Sequence, residues 1–200
     1  KIGKANKFTI LSTGLSNIEE ITNAVKILKK NGLKNKNLTI LHCNTNYPAK
    51  FEELNLKAIP IMKKKFKCKI GYSDHSIGVE VPIAAVTVGA EIIEKHFTLN
   101  KKQKGPDHIA SSDFNEFSLI VKSIRNIEKS LGQKKIKTKS EIQNLKIVRK
   151  SLVASKSIKI GDKFTINNIT TKRPFKGICA SKYNKYLGRK SKFNFKRDDF

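Results

Sequence analysis

Ile70-Gly71-Tyr72-Ser73-Asp74-His75-Ser76 is a short apolar run that turns polar at its end, and Ile92-Ile93-Glu94-Lys95-His96-Phe97-Thr98 repeats the pattern further along. Each reads as a buried strand ending in polar groups that include one histidine. Between them, Ile77 to Val88 is rich in Ala and Val and reads as a helix. Strand, helix, strand is the unit of a parallel sheet, in which the carboxyl ends of both strands open on the same edge. His75 and His96 are therefore expected side by side at that edge. Asp74, Glu94 and Asp107 should be close by, the last in the tail Lys104-Gly105-Pro106-Asp107-His108. Two neutral imidazoles among carboxylates suit a divalent metal that keeps positions open for substrate. Two structural histidines, each satisfied by a backbone carbonyl, are the plainer alternative.

The same alternation extends in both directions. Phe8 to Ser12 is a first strand candidate, and Ser16-Asn17-Ile18-Glu19 has capping-box spacing ahead of a helix with apolar Ile18, Ile21, Val25 and Leu28. That helix should stop near Asn31-Gly32. Leu38 to Cys43 is the second strand, a less regular helix follows around Asn55 to Lys65, and Cys68 to Tyr72 and Glu91 to His96 are the third and fourth strands. Asp113 is the expected N-cap of a helix running to Leu131. Four successive strand and helix units without a hairpin signal indicate α/β architecture with a parallel sheet, half of an eightfold (β/α) barrel. In such barrels the chemistry sits at the carboxyl ends of the strands. A doubly wound open sheet is the alternative, but no Gly-rich dinucleotide or phosphate loop follows any strand.

Residues 133–146 read as a linker, with a lysine-rich polar stretch from Gly132 to Gln143. Residues 1–132 then form the half-barrel, and 147–200 a small mixed β domain with short runs at Ser151–Ala154, Ile158–Asp162, Phe164–Ile166 and Ile169–Thr171. The net charge of +26 would ordinarily suggest a nucleic-acid or anionic-membrane partner. Only five of the basic residues are Arg, however, and the lysines are scattered, with no visible clustering of the kind groove readers use. They read as solvated helix faces, so neither nucleic acid nor membrane is expected as a partner. No apolar run approaches the length of a membrane span. Cys43, Cys68 and Cys179 have no metal or disulfide spacing, which favours a reducing compartment, the cytoplasm.

Leu11 to Ser16, Leu41-His42-Cys43-Asn44-Thr45-Asn46-Tyr47-Pro48, Gly71 to Ser76, Glu94 to Thr98 and Gly105-Pro106-Asp107 together resemble the successive motifs of the sialic acid synthase (N-acetylneuraminate synthase) family. Ser151 to Ala154, Lys172-Arg173-Pro174 and Tyr186-Leu187-Gly188 resemble that family's C-terminal antifreeze-like (SAF) domain. The resemblance runs end to end. It implies the C-terminal half of a TIM barrel followed by a C-terminally truncated SAF (β-clip) domain, with roughly the first four barrel strands absent. On that reading the 200-residue chain alone is expected to be inactive.

The resemblance further implies condensation of phosphoenolpyruvate with the open-chain aldehyde of an N-acylated mannosamine, releasing phosphate and giving a nine-carbon 2-keto sugar acid. It assigns His75 and His96 to a divalent metal, Mn2+ first, with Mg2+ or Co2+ tolerated. Glu94 and Asp107 become the acid or base groups. Ser12, Ser73, Thr45 and Tyr47 become pocket residues for phosphoenolpyruvate and sugar. The position where some family members place an Asn ligand falls on Thr45 here, flanked by Asn44 and Asn46, a departure from that pattern. Arg173 corresponds to an arginine that reaches from one subunit's small domain into the other's barrel and contacts the N-acyl group, implying a domain-swapped homodimer. Within the same chemistry, a legionaminic or pseudaminic acid synthase is the rival, with a lean toward the legionaminic type. A non-catalytic carbohydrate- or nucleic-acid-binding protein is the rival from another class.

Overall fold

A computed structural model of the chain describes residues 1–105 and 107–200, and Pro106 of the Gly105-Pro106-Asp107 motif lies outside them. The chain divides into two compact units, Lys1–Gln133 and Lys134–Phe200.

The first unit is built on four parallel strands in sequence order: β1 (Thr9–Ser12), β2 (Leu38–Cys43), β3 (Lys69–Asp74) and β4 (Ile93–Lys95). A short turn of helix, α1 (Ile2–Ala5), precedes them. Connections are made by α2 (Ile18–Lys30), by α3 (Ala58–Phe66) and by α4 (Glu80–Thr87), and α5 (Phe114–Ser130) closes the series. Strand β2 is buried on both faces from Leu38 to Leu41, as a central parallel strand covered on two sides must be. Helix α2 presents Ile21 and Val25, one turn apart, to the core, and α3 presents Ile59, Met62 and Phe66. Acidic Glu19 and Glu20 at the start of α2 and Lys29 and Lys30 at its end both complement the helix dipole.

Several boundaries differ from the sequence reading, for local reasons. The cap of α2 is Asn17, not Ser16. Asn17 Oδ1 accepts from the backbone N–H groups of Glu19 and Glu20, while Glu20 Oε2 accepts from Asn17 N at 2.8 Å. Asn and Ser cap about equally well, and the one-residue shift puts Glu20 at the reciprocal position. Strand β3 runs on to Asp74, two residues past Tyr72, because its register with β4 pairs Ser73 with Glu94 and Asp74 with Lys95. Helix α4 begins only at Glu80, since Gly78 takes a left-handed φ of 94°. Gly71 is required by packing rather than by φ. A Cβ there would lie 2.6 Å from the Ile92 carbonyl oxygen and would also collide with the Leu41 side chain.

In the second unit, helix α6 (Lys139–Val148) occupies part of the stretch expected to be linker. Its capping box, Thr138 with Glu141, initiates it despite the scarcity of apolar residues. Strands β5 (Ser151–Ala154) and β6 (Ile169–Lys172) pair antiparallel. The runs at 158–162 and 164–166 are not strands. Ile158 makes a single bridge to Phe195 and Lys163, between the two runs, another to Lys190, around a small core of Ala154, Ile158 and Ile169 packed by Phe164, Tyr183, Leu187 and Phe195. Helix α7 (Tyr183–Tyr186) completes this unit. Among the described residues, no helix is long and apolar enough to cross a membrane, and all three cysteines are free thiols.

Candidate active site

The carboxyl ends of β3 and β4 set the site. Side chains alternate across a strand, so Ser73 and His75 share one face, and Glu94 and His96 share it on the neighbouring strand. The structure brings the two imidazoles together, with ring centres 5.9 Å apart and planes inclined at 60°. Each histidine is anchored by its own backbone carbonyl: His75 O accepts from Ala49 N at 2.9 Å, and His96 O accepts from Ser112 N at 2.8 Å. Loops that follow β2 and β4 thus hold the two rings at one edge.

Tyr47, in the loop after β2, packs against both rings, stacked on His75 at 3.8 Å and tilted on His96 at 4.4 Å. Its hydroxyl is 2.8 Å from His96 Nε2. Burial, aided by the nearby Asp107 and Glu94 carboxylates, pushes the Tyr47 hydroxyl up to about 12, so it stays a neutral phenol. It can donate to an unprotonated His96 Nε2 or accept from a protonated one. Burial also lowers the His75 pKa, the His96 ring adds to the lowering, and the Asn44 backbone and the Asp74 and Glu94 carboxylates oppose it. His75 is therefore neutral near pH 7, the form that ligates metals.

Ser73 links the two strands. Its hydroxyl donates to Glu94 Oε1 at 2.6 Å, and its oxygen lies 3.2 Å from His75 Nε2. A hydroxyl has one proton to give. With that proton directed at Glu94, the His75 contact requires a proton on Nε2, which leaves Nδ1 bare. Nδ1 is indeed buried without a hydrogen-bond partner, although the Asn44 backbone is near enough to influence the ring. The other tautomer would turn Nδ1–H toward that backbone and free Nε2 as a ligand. Metal-bound histidines are commonly fixed in this way through their second nitrogen.

Of the other expected residues, Asp107 stands at the rim, its carboxylate 3.9 Å from His96 Nδ1, too far for a hydrogen bond. Ser12 ends β1 and is exposed. Thr45 is exposed in the β2 loop and, among the described residues, makes no side-chain hydrogen bond to the histidines, while Asn46 N donates to Asn44 Oδ1 and both amide side chains turn toward Glu53. Arg173 lies in the second unit and donates from Nε to Val148 O at 2.6 Å. Asp74 departs from expectation. It follows Ser73 by one residue and so faces away from the histidines, with its carboxylate buried against Lys95.

Two residues escaped the sequence reading. Lys95 looked like one more surface lysine, yet its side chain is 1% exposed. His108 Nδ1 lies 2.8 Å from Thr98 Oγ1 and so ties the loop bearing Asp107 back to the end of β4. The adjacency of Asp107 and His108 was visible, but not the partner.

Among the described residues, no group of three or more His, Cys, Asp or Glu side chains is arranged around one point. The donor set fits an open two-nitrogen site rather than a closed cage. Imidazoles bind metals at about 2.0–2.1 Å, which puts each ring centre roughly 3 Å from a shared ion, a span consistent with the observed separation. Among the described residues, the Nε2 atoms have the Ser73 and Tyr47 hydroxyls as their hydrogen-bond partners, groups that can exchange for a ligand.

The sequence model of the NeuB family matches residues 1–136, and that of the SAF domain matches residues 149–200. N,N'-diacetyllegionaminic acid synthase of Campylobacter jejuni is 50% identical over the whole chain and 60% of its own length. Pseudaminic acid synthase of the same organism is 38% identical over 99% of the chain and 57% of its own length. The crystal structure of N-acetylneuraminic acid (sialic acid) synthetase from Leptospira borgpetersenii in complex with citrate superposes with a TM-score of 0.64 at 38% identity, covering 71% of this chain and 49% of that one. The chain thus spans about 60% of the length of the curated relatives it matches. Its four strand–helix units form half of a TIM barrel, and the chain belongs to the NeuB family.

Proposed function

We propose that the complete protein containing this chain joins phosphoenolpyruvate to the open-chain aldehyde of an N-acylated mannosamine. The enol carbon forms a new C–C bond with the aldehyde carbon, one water is consumed, phosphate leaves, and a nine-carbon 2-keto sugar acid results. The observation that carries this reading is the meeting of His75, His96, Ser73 and Glu94 at one strand edge in a chain of this family. The 50% identity to a diacetyllegionaminic acid synthase, against 38% to a pseudaminic acid synthase, favours a diacetamido sugar of the legionaminic type as acceptor.

His75 and His96 would hold the divalent metal, Mn2+ first and Mg2+ or Co2+ as substitutes. Bound there, it would supply Lewis-acid polarisation of the aldehyde oxygen. The chain's own groups carry the rest. Glu94 Oε1 already accepts a hydrogen bond from the Ser73 hydroxyl at 2.6 Å and is a carboxylate beside the histidines able to take or return a proton. Asp107, exposed at the rim, is the second carboxylate that can serve the sugar hydroxyls. Tyr47, kept neutral, offers a hydrogen bond without adding negative charge beside an anionic substrate. Ser12 and Thr45 line the mouth, where hydroxyl donors suit a carboxylate or phosphate. Arg173 would meet the N-acyl group across a domain-swapped homodimer in the cytoplasm.

The test is phosphate release by the complete protein, with phosphoenolpyruvate and a panel of N-acylated mannosamines and diacetamido analogues. Release that requires both substrates supports the proposal. No release with any acceptor, in the presence of Mn2+, Mg2+ or Co2+, would overturn it.

A further inference from the structure

Behind the histidines lies an ion pair that the proposed reaction does not use. Lys95 Nζ is 2.6 Å from Asp74 Oδ2, with side-chain exposures of 1% and 0%. The same ammonium donates to Ser76 O at 2.6 Å. Asp74 Oδ1 accepts from Ser76 N at 3.0 Å and from Ser76 Oγ at 2.7 Å. The two side chains therefore bind the residues on both sides of His75 to the residue directly before His96.

Stability alone is a poor reason for such a pair. Taking two charges out of water costs much of what their attraction returns, and well-packed apolar residues of similar size often serve as well or better. An apolar pair would, however, leave strand ends free to slide and turn relative to each other. Hydrogen bonds to fixed atoms do not. The register supports this, since Asp74 opposite Lys95 is the last paired position of the two strands, and the histidines are the next residue on each.

We propose that Asp74 and Lys95 are positioning residues, a buried clamp that sets the separation and tilt of the His75 and His96 rings and thereby the affinity of the site they form. This rests on the metal reading above for its consequence, but the clamp itself is a statement about the rings.

The experiment uses the complete protein and the neutral double variant Asp74→Asn/Lys95→Met, which leaves no unpaired charge. Mn2+ alone is titrated calorimetrically, the thermal midpoint is recorded, and histidine ring 15N resonances are followed without metal. The clamp predicts a folded double variant whose His75 and His96 resonances move and whose Mn2+ affinity falls about 10–100-fold. The phosphoenolpyruvate KM should change little. Unmoved resonances with wild-type Mn2+ affinity would overturn the proposal, leaving the pair as scaffold. Should wild type bind no Mn2+, or bind it equally after His75→Ala/His96→Ala, the metal reading fails, and the metal-free resonances alone decide the clamp. Should the double variant not fold, Lys95→Arg replaces it. The wider guanidinium keeps the charge but cannot reproduce both short contacts, so displaced rings support the clamp and unmoved rings refute it.

Discussion

Each unit of the chain carries a Lys–Asp ion pair joining segments distant in sequence, and the two differ in almost everything that matters. Lys95–Asp74 in the barrel unit is sealed from water, with both partners making further hydrogen bonds to Ser76. Lys172–Asp198 in the second unit is half exposed. In water an ion pair gains little, because both ions were already solvated and salt screens what remains. Away from water, each charge depends on the other. Chemical identity therefore says nothing about weight. Placement does, and the buried pair borders the candidate site.

The widest gap should appear when one partner is removed. Lys95→Met strands a buried carboxylate and is expected to cost about 3–5 kcal/mol, read from the denaturant midpoint. Asp74→Asn in the same background should restore most of it. If Lys95→Met were as mild as Lys172→Met, burial would not be the difference between the pairs.

Gly71→Ala comes next. The new methyl would press on the Ile92 carbonyl and Leu41 between β2 and β4, and overpacking of this kind costs about 1–3 kcal/mol. A neutral result would mean that the strands behind the site can separate freely. Asp113→Ala removes the cap that accepts from Glu116 N at 2.9 Å, for a loss of about 1 kcal/mol by thermal melting.

The smallest effect belongs to the exposed pair. Lys172→Met should leave the midpoint unchanged within scatter at physiological salt. The hydrogen bond from Lys172 holds Asp198 below its usual carboxylate range. A depressed carboxylate stabilises above its unfolded pKa, and the contribution disappears as pH falls through the folded value. Comparing wild type with Lys172→Met between neutral and about pH 3 should thus show a difference, if any, only at the upper end. A difference growing toward acid would contradict the assignment.

What the residues disclosed beforehand followed from local rules. Leu38 to Cys43 is a strand rich in apolar residues and covered on both faces from Leu38 to Leu41, and Asp113 caps α5 because its carboxylate accepts from the backbone N–H of Glu116 three residues on. The meeting of His75 and His96 followed from the strand–helix–strand pattern. Where two solutions were locally equal, as for Ser16 and Asn17, only the folded geometry chose. Helix α6 was obscured by its lysines, although Thr138 and Glu141 carry a complete capping signal. Lys95 was hidden for another reason. In a chain of net charge +26, one buried lysine has no compositional mark, and its partner Asp74 was grouped with the histidines by sequence nearness rather than by strand face.

The central claim is that the edge holding His75 and His96 is where the chemistry happens. Its most direct test is phosphate release by the complete protein bearing His96→Gln, assayed with phosphoenolpyruvate and the best acceptor beside wild type. The account predicts a fall of about 100-fold or more at an unchanged melting temperature, whereas wild-type turnover by the folded variant would contradict it.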